Sequence, residues 1–139
     1  MFAGQLALTM AALFTGAAIY INIGEQPARL QLDDSSLLVE WKLAYRRGYM
    51  MQASLAIVGG FFGVVAFFSS FEWRWLLGAV VLLINWPYTI VVMMPVNRRL
   101  MNTPPGAATA ETRRMIGRWG AGRSALGLAA ALIFLLAPR

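Results

Sequence analysis

The chain has 139 residues, 59% of them hydrophobic, with a mean hydropathy of +0.62 and a formal net charge of +6. That composition excludes an ordinary soluble domain and a disordered segment, and the length suits a single domain over 1–139. The absence of cysteine and histidine excludes disulfides, thiol redox chemistry and the usual zinc, haem and non-haem iron ligands.

Four apolar stretches, at about 3–23, 50–70, 75–96 and 121–137, each approach the roughly 20 residues needed to cross a bilayer core. The first lacks a basic leader, and no small-residue cleavage site precedes a soluble domain, so it reads as a retained helix rather than a signal peptide. It carries small residues at Ala3, Ala7 and Ala11 that would allow close helix packing. At its end stand Asn22, Glu25 and Arg29. Asn22 and Glu25 share a helix face, and Pro27 lets the chain turn Arg29 back toward it. Glu25 is therefore a candidate general base with Arg29 as its partner, the alternative being an interfacial ion pair that fixes the loop.

Asp33, Asp34, Ser35 and Ser36 supply N-cap candidates for the next helix. Leu37, Leu38, Trp41, Tyr45 and Tyr49 fall on one face, and Glu40, Lys42, Arg46 and Arg47 on the other, with Leu43 the exception. This pattern predicts an amphipathic interfacial helix, continuous with or bent into the second span. Gly59 and Gly63 form a G-x-x-x-G pair there, suited to packing within the chain or between two copies.

In the third span, Asn85, Tyr88 and Thr89 lie on one stripe beside Pro87, which removes a backbone hydrogen bond and predicts a kink. An amide there needs a partner that lipid cannot supply, either as interhelical glue or as the wall of a ligand pocket. Asn97 lies near the end of that span and Arg98 and Arg99 follow. Residues 102–110 are turn-rich, and a short basic helix over Glu111–Arg118 leads to Trp119 and Arg123 at the head of the fourth span. Trp119 reads as an interfacial or substrate-facing residue. Arg123 lies deeper and requires a buried partner. The methionine pairs 50–51 and 93–94 read as packing, and no metal site is expected.

Lys and Arg concentrate in the loops 24–49 and 97–120, whereas the chain ends and the middle hairpin hold almost none. The bias predicts cytoplasmic loops and external termini, in the inner (plasma) membrane. The fold class that follows is an all-α, integral membrane four-helix up-down bundle with a cytoplasmic amphipathic helix between helices 1 and 2. The basic residues suit membrane lipids rather than nucleic acid, and the small-residue pairs leave room for a homo-oligomer. This topology would gather Glu25, Arg29, Tyr45, Arg46, Asn97 and Arg123 at one mouth.

The segments I-N-I-G-E-Q-P-A-R (21–29), E-W-K-L-A-Y-R-R-G (40–48), N-W-P-Y-T-I-V-V-M-M-P-V-N-R-R-L (85–100) and R-W-G-A-G-R-S-A-L-G (118–127) resemble the DUF1772 family, which includes anthrone oxygenases. The resemblance implies an oxygenase that needs no cofactor and acts on a lipophilic, electron-rich aromatic. Its matching positions are Glu25, Arg29, Trp41, Tyr45, Arg46, Asn85, Tyr88, Pro95, Asn97 and Arg123. On this reading Glu25 is the base and Arg29 or Arg123 stabilises the anion, while Asn22, Trp41, Tyr45, Arg46, Asn85, Tyr88, Asn97 and Trp119 bind substrate. Relatives carry a histidine between the tryptophan and arginine that open the fourth helix. This chain has Gly-Ala-Gly between Trp119 and Arg123, which weakens transfer of the reaction where that histidine is the base. The alternatives are a non-catalytic membrane binding or partner-subunit protein and, with less support, a transporter.

Overall fold

The computed structural model describes residues 2–118 and 121–138. Among them are four helical stretches long and apolar enough to cross a membrane, Phe2–Arg29, Asp34–Ser70, Trp73–Asn102 and Ala110–Leu136, and no strand. In chain order the helices are α1 (Phe2–Tyr20), α2 (Gln26–Arg29), α3 (Asp34–Ser70), α4 (Trp73–Leu83), α5 (Asn85–Tyr88), α6 (Met94–Asn102), α7 (Ala110–Gly117) and α8 (Ala121–Leu136). Helices α1 and α4 each pack against both α3 and α8, which makes an antiparallel four-helix bundle of sequence neighbours.

Small residues make close approach possible at the centre. Ala7, Ala11, Ala56, Ala66, Ala79 and Ala130 interleave with Phe14, Trp75, Leu82 and Phe134, and Trp75 stacks on Phe134 at 5.7 Å. A Cβ added at Gly63 would lie 2.9 Å from the Cβ of Ala79 and from the Phe134 ring. The G-x-x-x-G pair thus makes close contacts inside the chain, Gly63 against α4 and α8 and Gly59 against Leu82 of α4 and Met10 of α1. Large exposed side chains such as Leu13, Ile57, Phe61, Val80, Val91 and Leu132 point outward, as lipid contact requires.

Helix α3 has 37 residues, about 55 Å at 1.5 Å per residue, against a hydrocarbon core of about 30 Å. The amphipathic segment is therefore the N-terminal part of the second spanning helix and not a separate element. Asp33 caps it by accepting from the Ser36 N–H at 2.6 Å. Its apolar side is covered by the chain itself: Leu37, Leu38 and Trp41 pack with Ile21, Met93, Leu100 and Ile116. Arg113 of α7 closes the same end. It donates to the carbonyls of Leu30 and Leu32 and pairs with Asp34 at 2.8 Å.

Two of the spans contain a π-helical turn, Ile21–Glu25 and Thr89–Met93. In both, the residue just before a proline donates its N–H five residues back, Gln26 to Ile21 and Met94 to Thr89. Pro27 and Pro95 lack an N–H and would crowd the carbonyl four residues behind. The wider turn relieves that crowding and inserts one residue, which rotates the following side chains by about 100°. The third span is interrupted at Ile84, between α4 and α5, where Pro87 has no N–H to give the Leu83 carbonyl, and the Asn85 amide donates to the neighbouring Leu82 carbonyl at 2.7 Å.

Candidate functional site

The first π turn aims Glu25 at the outer edge of the bundle's loop-bearing end. Arg29, four residues on and 4% exposed, pairs with Glu25 and also places Nε 2.9 Å from Oε2 of Glu40 on α3. The second contact is an ion pair without an aligned hydrogen bond. The two carboxyl groups are themselves close enough to interact. One guanidinium thus serves two carboxylates, and the trio keeps a net negative charge when both are ionised.

Glu25 and Arg29 line a groove between α1 and α3 with an accessible volume of about 330 Å³, the lower end of the range for small-molecule sites. Tyr20, Ile21, Tyr45 and Met51 supply its apolar and aromatic wall, and Arg47 supplies a second cation. Arg46, by contrast, is exposed and does not line the groove. Tyr45 stacks on the fully buried Trp41 at 4.9 Å with 18° between the rings. Its hydroxyl donates to the Met94 sulfur at 3.6 Å and interacts with the Asn97 amide. Asn97 is 2% exposed and donates to the same sulfur at 3.8 Å.

Arg123 stands elsewhere. It is buried at the head of α8, in electrostatic reach of Tyr45 and Tyr88, and it lines a narrow crevice deeper in the bundle. Gln52, Asn85, Trp86 and Thr89 face the same crevice, with Phe14 beside them. Asn22 reaches across to α8 and donates to the Ser124 hydroxyl, tying the first π turn to the fourth span. Tyr88 fits against Gly122, where a Cβ would collide with its ring. Trp119 lies outside the described residues.

The single mouth expected from topology is therefore two neighbouring places. Glu25, Arg29 and Tyr45 share the groove, Asn85 and Arg123 share the crevice, and Tyr45 with Asn97 stands between them. Glu40 and Gln52 are additions. Gln52 carried a readable signal, an amide inside an apolar span, where polar groups are costly. Glu40 carried none, because only the fold brings its face of α3 to Arg29. Among the described residues no group of three or more acidic side chains is arranged to hold a metal ion.

Fold and composition define a multi-pass helical membrane protein with polar side chains gathered toward one end. The family profile described as anthrone oxygenase matches residues 41–133, and the chain belongs to that family, DUF1772. No curated protein and no solved structure shows significant similarity to it. The matched residues include Trp41, Tyr45, Gln52, Asn85, Tyr88, Asn97 and Arg123; Asn22, Glu25 and Arg29 precede them.

Proposed function

We propose that the protein is a membrane-embedded oxygenase that binds a lipophilic aromatic in the groove between α1 and α3 and oxidises an activated ring methylene, as in an anthrone. Family membership supports the reaction class, and the observation that carries the assignment to this groove is Glu25, held by buried Arg29 at the edge of a ligand-sized aromatic cavity.

Glu25 removes a proton from the methylene, and Arg29 and Arg47 favour the resulting enolate. The enolate carbon reduces O₂ and forms the new C–O bond of a peroxide, which takes the proton back from Glu25 to become a hydroperoxide. Loss of water then gives the quinone, so one oxygen atom enters the product and the other leaves as water. Tyr20 and Tyr45 position the ring. The basic loops would face the cytoplasm with their exposed arginines on anionic headgroups. A non-catalytic lipid-binding role asks for Trp41 and Tyr45 on the lipid face, whereas Trp41 is fully buried and Tyr45 is half-buried, stacked on Trp41.

Purified protein incubated with anthrone under ¹⁸O₂ tests the reading. One labelled oxygen per anthraquinone, formed faster than without protein, is expected. Quinone at the protein-free rate rejects it.

A further inference from the structure

The crevice behind Arg123 does not take part in the reaction proposed above, yet it concentrates unmet hydrogen-bonding capacity. Gln52 is 2% exposed, and among the described residues neither its amide nitrogen nor its amide oxygen has a hydrogen-bond partner. Asn85, 4% exposed, uses its Nδ2 on Leu82, and its Oδ1 has no partner among the described residues. The indole N–H of Trp86 is buried and likewise has none among the described residues. All three side chains line the same crevice between α3 and α5. Two donors and two acceptors therefore meet inside apolar spans, where each unmet group carries a desolvation cost.

The accessible volume there is about 20 Å³, enough for one water-sized group and too small for a ring. Half-buried Tyr49, Ala53 and Trp86 form its outer wall, so it opens sideways between the second and third spans. We propose that Gln52, Asn85 and Trp86 form a binding site for a single hydrogen-bonding oxygen. Two sources share this chemistry: a water molecule, or the hydroxyl or carbonyl of a lipophilic compound whose hydrocarbon stays in the bilayer. Either oxygen accepts from Gln52 Nε2 or the Trp86 indole, and a hydroxyl also donates to Asn85 Oδ1 or Gln52 Oε1. The Arg123 guanidinium beside the crevice favours an oxygen bearing partial negative charge.

Gln52 and Asn85 have no hydrogen bond to one another among the described residues, so an oxygen held by both is the route by which they would couple. The test is a double-mutant cycle, Gln52→Leu with Asn85→Leu, on reversible unfolding in mixed micelles. It is run without ligand, with anthrone, and with 9,10-dihydroanthracene, which has a methylene in place of the carbonyl. Coupling of about tenfold in the unfolding equilibrium constant is expected. Coupling that is equal in all three arms assigns the oxygen to water. Coupling that grows with anthrone but not with dihydroanthracene assigns it to the ligand. Additive effects in every arm, with each leucine neutral or stabilising, overturn the site. Should Gln52→Leu not fold, Gln52→Met in the same cycle gives the same readout. None of the arms needs turnover, so the result is independent of whether the groove is catalytic.

Discussion

Arg29 joins the end of the first span to the second by placing its Nε 2.9 Å from Glu40, while the same guanidinium holds Glu25. Its side chain is 3% exposed, whereas the carboxylates are 27% and 35% exposed. Replacing Arg29 with Met leaves two carboxylates facing each other without a cation. The partial exposure of both acids moderates the penalty, and a loss of about 1–3 kcal/mol is expected. Thermal unfolding in detergent measures it, and adding Glu40→Gln to Arg29→Met should recover part of the loss.

Pro95→Ala restores an N–H that a regular helix can use and removes the crowding behind the second π turn. The ladder can then close, which shifts Met94 and Asn97, the partners of the Tyr45 hydroxyl, and with them the Tyr45 ring that lines the groove. Unfolding temperature should rise while quinone formation falls by about 10- to 100-fold, since small misplacements are costly in catalysis. Unchanged activity with a raised melting temperature would show that the π turn does not position the site.

Gly63→Leu places a branched side chain where the Ala79 Cβ and the Phe134 ring already stand. The neighbour at Ala79 is a Cβ and cannot swing away, so the helices must separate. Destabilisation of about 1–3 kcal/mol is expected, again by thermal unfolding. If Gly63 served only contacts between copies, the monomer would keep its stability.

The spans were legible in the sequence because about 20 apolar residues leave few alternatives, and the G-x-x-x-G pair marked a real close approach. Pro87 announced an irregular third helix. What it could not convey was that the Asn85 amide would turn onto the Leu82 carbonyl beside the break, or that Pro27 and Pro95 would each be relieved by a π turn. Those outcomes depend on where neighbouring helices let the ladder open. The site residues were legible as types but not as a grouping. Asn85 and Arg123 meet in one crevice and Glu25 in a separate groove, because the faces of α3 on which these places open are set by packing in three dimensions.

Acid should loosen the start of α3. Hydrogen bonds from Ser36 hold the Asp33 carboxyl below its ordinary value of 3.8. A depressed folded value contributes stability above the unfolded pKa, and that contribution is lost as pH falls through the folded value. Amide protection at the first turn of α3, relative to the intrinsic exchange rate at each pH, should therefore fall below about pH 4, and Asp33→Ala should show the lower protection already at neutral pH. Equal protection in both proteins at pH 7 would contradict the cap.

The most direct measurement compares the rate of anthraquinone formation from anthrone under O₂ by the wild-type protein and by Glu25→Gln, both purified and folded. Glu25→Gln keeps the shape of the groove and removes the base, so the protein-dependent rate should fall by about 10²- to 10⁴-fold. A Glu25→Gln protein that forms quinone as fast as wild type would contradict the assignment of the groove as the oxidising site.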